Sequence, residues 1–248
     1  MRNLCSALIP CSGGCQYCFA KWDDIYTKQP LLSTVRINEN IFSVLYPCCD
    51  GEFFEQDNCF SELKKILCNR SCVCVDISTK RHLKTDEISE LIELDRWLKE
   101  HKKGFVKFSI SISTKSRITE LEPNTMNYEE RISLANSLKQ TNIRTTLTIK
   151  PVLPFISSDE YCEIVKDFSE LISYITIGGL YVNLSSAFYK KYIENKYPCI
   201  KRRVSWLDSK PEWFYIEDTE KIIKIKKFAS VLGIHVFDSD EELIQSIN

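Results

Sequence analysis

The chain has 248 residues and a mass of 28.9 kDa, enough for one large domain or two small ones with a sizeable core, and its 44% hydrophobic and 27% charged residues are ordinary for a folded soluble protein. Thirty-three lysines and arginines nearly cancel 34 aspartates and glutamates, so no global charge points to a nucleic-acid or membrane partner. Twelve cysteines would suit a secreted disulfide scaffold, but the chain is not small, its first ten residues are too polar for a signal-peptide core, and no apolar run nears the roughly 20 residues that span a bilayer. The expectation is a cytoplasmic protein with mostly reduced thiols, some of them bound to metal. In chain order, the apolar pattern predicts strands over 4–9 and 41–46, then a helix over 60–68 and a strand over 72–78. A helix over 86–102, a strand over 105–114, a helix over 128–140 and a strand over 144–151 follow. The series continues with a helix over 158–172, a strand over 174–180, a helix over 219–232 and a short strand over 234–237. Asn127 stands three residues before Glu130, a capping-box spacing, and Asp159 and Glu160 fall in a first turn where the helix dipole favours them. Strand then helix, repeated along the chain through six strands in series, implies parallel strands with right-handed crossovers and an α/β barrel, partial or complete.

The strand faces are unequal. Val106, Phe108, Ile110 and Ile112 alternate with Lys107, Ser109, Ser111 and Ser113. Leu147 and Ile149 alternate with Thr146, Thr148 and Lys150, and Val75 and Ile77 with Cys74, Asp76 and Ser78. A strand buried against helices on both faces would be apolar throughout. Two arrangements fit this alternation: a barrel whose polar lumen encloses a polar ligand, or an open sheet with one solvated face.

The first strand runs into Cys11-Ser-Gly-Gly-Cys15-Gln-Tyr-Cys18. Three thiols four and three residues apart lie in a loop that Gly13 and Gly14 allow to wrap tightly. Such a set suits iron–sulfur or zinc. A cubane cluster normally takes four cysteines, so three would leave one iron open. The competing explanations are a zinc site with a distant fourth ligand in a non-enzymatic interaction module, or unrelated buried thiols.

This CxxxCxxC arrangement, with Tyr17 before the last cysteine and Phe19 after it, resembles the signature of the radical S-adenosylmethionine (radical SAM) enzymes. The resemblance implies a partial (β/α)6 TIM-like barrel over 1–185 and a C-terminal α/β extension or cap over 186–248. It implies a [4Fe–4S] cluster held by Cys11, Cys15 and Cys18, whose open iron chelates SAM. Reductive cleavage of SAM would give methionine and a 5′-deoxyadenosyl radical that abstracts hydrogen from a substrate. An external electron donor such as flavodoxin or ferredoxin is implied too. Carried over position by position, Gly51 and Glu52 match the end of a Gly-Gly-Glu-type motif for the SAM amino group, from which Asp50 departs. Ser111, Ser113 and Lys115 match the polar groups near the SAM ribose or carboxylate. Lys150 would pair with that carboxylate, and Gly178 with Gly179 would leave room for adenine. The serine-rich strand 108–114, the Leu121-Glu-Pro123 segment and Arg131 on the following helix are similar to the spore photoproduct lyase and DNA-repair-photolyase-like branch. For Arg131 a structural ion pair is favoured over a SAM contact. That branch suggests a nucleic-acid base or lesion as substrate and a lyase- or transferase-type reaction; a peptide substrate is the alternative.

Among the other cysteines, Cys48, Cys49 and Cys199 are candidates for returning a hydrogen atom to a substrate radical, though a free cysteine is more often a small buried hydrophobe. Between 190 and 227 there are 11 lysines and arginines against 6 acidic residues, with Lys201-Arg202-Arg203 the densest stretch and Trp206, Trp213, Phe214 and Tyr215 close by. That composition fits a nucleic-acid face or an amphipathic cap, with the cap favoured.

Overall fold

The structure is a computed structural model, and it describes residues 2–4, 11–21, 41–68, 71–204 and 212–247. Residues 5–9 of the first predicted strand, and Trp206, lie outside the described residues. Strands β1 (Arg2–Leu4), β2 (Ile41–Tyr46), β3 (Ser71–Thr79), β4 (Phe105–Ser111), β5 (Arg144–Ile149) and β6 (Tyr174–Ile177) stand side by side in chain order. Three further strands, β7 (Leu180–Val182), β8 (Ile200–Arg203) and β9 (Glu212–Ile216), form a separate antiparallel sheet in the order β7-β9-β8. A last strand, β10 (His235–Phe237), returns to the main sheet beside β6. All neighbours in that seven-stranded sheet pair in parallel, and among the described residues its two ends do not meet. This is the expected α/β partial barrel, extended by one strand.

The crossovers are helical: α1 (Cys59–Cys68), α2 (Thr85–Lys102), α3 (Ile118–Leu121), α4 (Tyr128–Lys139) and α5 (Ser158–Phe168). Three more, α6 (Ala187–Tyr192), α7 (Thr219–Val231) and α8 (Asp240–Ile247), belong to the C-terminal part. Asn127 and Glu130 form the reciprocal cap expected of them, at 2.9 and 2.8 Å. The helices bury Leu91, Leu94, Leu98, Leu134, Leu138, Ile164 and Phe168 against the apolar strand face, where Val75, Ile77, Val106, Phe108, Ile110, Leu147 and Ile149 are all buried. No helix among the described residues is long and apolar enough to cross a membrane.

The predicted strand over 174–180 is two strands in different sheets. β6 ends at Ile177 and β7 begins at Leu180. A Cβ on Gly179 would come within 2.2 Å of the Ile216 carbonyl oxygen, so only glycine lets the chain pass β9 here. Gly179 therefore serves the packing of the second sheet, and it also borders the cavity beside Gly178.

The polar strand face does point into the barrel, but its lower half is filled by its own side chains. Asp76 and Lys107 are register partners on β3 and β4. Lys107 is completely buried and donates to both Asp76 oxygens at 3.0 Å, to Ser109 at 2.8 Å and to Asp240 of α8 at 2.8 Å. Ser109 bonds Thr146 at 2.8 Å and Thr148 bonds Thr176 at 2.9 Å. Every ionised group here has a partner, as a low-dielectric interior requires. Leu243 and Ile244 of α8 close this end, packed with Val44, Cys74 and Phe105.

Candidate functional site

The loop 11–18 is fixed to its surroundings by backbone contacts. Gln16 N–H donates to the Leu121 carbonyl at 2.9 Å, Asn124 Nδ2 to the Ser12 carbonyl at 3.0 Å and Ser12 N–H to Glu55 at 2.9 Å. Gly14 has φ +70°, a left-handed conformation that glycine adopts without strain. Cys11, Cys15 and Cys18 are free, half-buried thiols. Burial pushes the Cys11 thiol up to about 11 and raises Cys15 as well, so both hold their protons at neutral pH unless a cation displaces them. Among the described residues, no group of three or more His, Cys, Asp or Glu is gathered tightly enough to hold a single metal ion. A cubane takes one thiolate at each of several corners, so its ligands stand farther apart than those of one ion.

Above the filled lower lumen, the loop opens onto a cavity of about 580 Å³ at the C-terminal ends of the barrel strands. Of the residues singled out from the sequence, Cys11, Cys15, Tyr17, Cys18, Phe19, Gly51, Glu52, Ser111, Lys150 and Gly178 all line it. They come from five separate stretches of chain, brought together because parallel strands present all their C-terminal ends at one rim. Glu52 caps the short turn Phe53–Glu55, accepts from the Phe54 N–H and takes the Thr79 hydroxyl at 2.9 Å. Its burial outweighs these bonds and pushes the carboxyl up to about 7. The Lys150 ammonium meets Asp240 at 3.2 Å, and its stem runs along Gly178.

Three sequence candidates stand elsewhere. Ser113 does not line the cavity; it is fully buried, takes the Tyr17 hydroxyl at 2.9 Å and is spent on internal bonding. Lys115 lies outside the barrel, paired with Asp167 at 3.0 Å. Arg131 has the structural role favoured for it: fully buried, it donates to Glu122 at 2.5 Å, to the Ser111 carbonyl at 2.9 Å and to the Met126 carbonyl.

Glu122 and Lys80 had no individual part in the sequence reading, yet they support the cysteine loop. The Tyr17 hydroxyl, between two of the cysteines, bonds Glu122, while Lys80 donates to Tyr17 and reaches Glu122 at 2.8 Å. Burial alone would raise the Glu122 carboxyl, but Lys80 and Arg131 more than offset it and hold it down to about 2. The one sequence signal was position: Lys80 directly follows an inward-facing strand end.

The second sheet forms one wall of the cavity through Tyr181, Arg202, Arg203 and Tyr215. All four β8 residues are exposed, and the Arg202 guanidinium sits 4.5 Å from the Tyr215 ring centroid. Trp213 and Tyr215 are buried, so these aromatics are packing residues, while the basic groups of β8 face outward together with Ile200. Cys49 is exposed on the cavity wall, Cys48 packs against the core, and Cys199 is half-buried and donates weakly to the Tyr197 carbonyl.

No protein-family model matches the chain, and no curated protein matches it. Solved structures do. A tyrosine-to-phenylalanine variant of spore photoproduct lyase aligns with TM-score 0.63 over 92% of this chain and 73% of its own, at 14% identity. A variant of the same enzyme with bound AdoMet and dinucleoside spore photoproduct gives 0.60 over 95% and 75%, at 12% identity. SuiB of Streptococcus suis bound to S-adenosylmethionine gives 0.52 over 75% of this chain and 42% of its own, at 12% identity. The chain has the fold of these radical SAM enzymes. At such identities the likeness is one of fold, and the chemistry is argued from this chain's residues.

Proposed function

We propose that the chain is a radical SAM enzyme, with a [4Fe–4S] cluster on Cys11, Cys15 and Cys18 and SAM in the adjoining cavity. One observation carries this: three free thiols of a CxxxCxxC loop share a single cavity with Glu52, Ser111, Lys150 and Gly178. The donor set fits the group. Three thiolates with no fourth protein ligand in the loop leave a site open for a chelating ligand. When bound, the cluster and SAM together supply reductive cleavage of SAM and hydrogen-atom abstraction from the substrate.

The chain's own residues do the positioning. Glu52 is a buried acceptor aimed at an ammonium group, and such a charge would return its carboxyl to the ionised form. Lys150 and Ser111 offer a cation and a hydroxyl to carboxylate and ribose oxygens. Gly178 leaves bare backbone for a flat base, and Tyr17 and Phe19 shield the loop from water. Electrons come from an external donor such as flavodoxin or ferredoxin.

For the substrate we favour a nucleic-acid base or lesion, processed by a lyase- or transferase-type reaction. Exposed Arg202 and Arg203 at the cavity rim are placed to take phosphate oxygens while a base enters between them and the cysteine loop. Anaerobic reconstitution should give about four irons per chain, and dithionite with SAM should then release 5′-deoxyadenosine. Cys15→Ala should abolish both. One zinc and no iron after anaerobic purification would replace this reading with that of a zinc-bound interaction module.

A further inference from the structure

We infer that Asp240, the first residue of α8, is a positioning residue for Lys150, which makes the C-terminal helix part of the ligand site. The inference rests on the reading of the cavity as a SAM site. One carboxylate bridges two lysines of the barrel: Oδ1 meets Lys107 at 2.8 Å and Oδ2 meets Lys150 at 3.2 Å. The two lysines depend on it differently. Lys107 keeps both Asp76 oxygens and the Ser109 hydroxyl without it. For Lys150, Asp240 is the one ion-pair partner among the described residues.

Geometry confines Lys150 as well. Its Cγ and Cε lie where a Cβ on Gly178 would be 3.4 Å away, so the stem follows the bare backbone at the end of β6. Its side chain remains 29% exposed on the cavity side. A lysine with four rotatable bonds, held at its root by the barrel and at its tip by Asp240, has little freedom left to lose when an anionic ligand group arrives. Asp240 is itself held in place by Leu243 and Ile244, one turn further along α8, which pack with Val44, Cys74 and Phe105. Asp238 also borders the cavity, but its carboxylate is taken by Lys226 at 2.7 Å, so it does not duplicate the role. Because the one Asp240 carboxylate is shared between Lys107 and Lys150, a ligand carboxylate meets a lysine already oriented and only partly neutralised.

The test is a double-mutant cycle on the full chain with Asp240→Asn, Lys150→Met and the pair, read in two ways. The first reading is the SAM dissociation constant of the reconstituted protein by calorimetry. Asp240→Asn should weaken SAM binding roughly 2- to 10-fold, the range for loss of one ordered side chain, and should have no further effect in the Lys150→Met background. Asp240→Glu, which keeps the charge, should recover much of the affinity. Effects of the two substitutions that simply add would overturn the inference. The second reading is urea unfolding without ligand, where positions 150 and 240 should also be coupled. Coupling there with no SAM binding by the unaltered protein would uphold the Lys150–Asp240 contact and overturn the SAM site; no coupling in either measurement would overturn the positioning role itself.

Discussion

Glu122 shows how much of this site hangs on one buried carboxylate. It joins the cysteine loop through Tyr17, the end of β3 through Lys80 and α4 through Arg131. Its carboxyl titrates near 2, below the ordinary 4.5, so it contributes stability that is fully present above the unfolded value and lost as the pH falls from about 4.5 towards about 2. The shift corresponds to about 3 kcal/mol at neutral pH. Acid titration of unfolding free energy should show this loss in the unaltered protein. Glu122→Gln should be flatter across the same window, because the group that titrates is gone. At pH 7 the variant should be less stable by roughly 3–5 kcal/mol, since Arg131 and Lys80 lose their shared counter-charge in a buried place. Equal slopes for the two proteins between pH 4.5 and 2 would assign the acid sensitivity to another group. The sequence offered Glu122 only as part of an acidic-proline segment; its partners come from 9 to 105 residues away along the chain, beyond what local spacing reveals.

At the level of elements, the adjacent glycines 178 and 179 do different work. Gly178 sits where a methyl group would only touch the flexible Lys150 stem at 3.4 Å. Gly179 sits where a methyl group would strike the Ile216 carbonyl at 2.2 Å and the Tyr215 ring. Gly178→Ala should therefore change thermal stability by less than about 1 kcal/mol. Gly179→Ala should destabilise by about 1–3 kcal/mol or more, because the backbone of β9 must shift to admit the methyl group. Similar melting temperatures for the two variants would contradict this division. The pair also marks where sequence reading ran short. Alternation made β3, β4 and β5 legible, since each buries one face against helices and turns the other inward. β8 and β9 lack that signature: β8 is exposed along its whole length, and β9 mixes buried and open positions without a strict period. α8 was missed for a related reason. It is eight residues long, and its key side chain works through partners 133 and 90 residues away.

For the molecule as a whole, a net charge of −1 hides a local separation of charge. The barrel neutralises its lysines internally, with Lys107, Lys80 and Arg131 each paired to a carboxylate. On β8, by contrast, Lys201, Arg202 and Arg203 face solvent, and the last two border the cavity. If a nucleic acid is the substrate, its backbone would run along this strand and its binding would weaken as salt rises, through counterion release. Each phosphate contact on a single strand contributes about 0.7 to the slope of log K against log salt. Arg202→Ala with Arg203→Ala should thus lower the slope measured with a single-stranded oligonucleotide by about 1.4, while leaving release of 5′-deoxyadenosine from SAM alone unchanged. Because both side chains are exposed, the double variant should melt close to the unaltered protein, so a lost slope could not be put down to unfolding. The absence of oligonucleotide binding at low salt would remove the nucleic-acid substrate and leave the cofactor chemistry standing, since the residues proposed for cluster and SAM belong to segments of the chain other than β8.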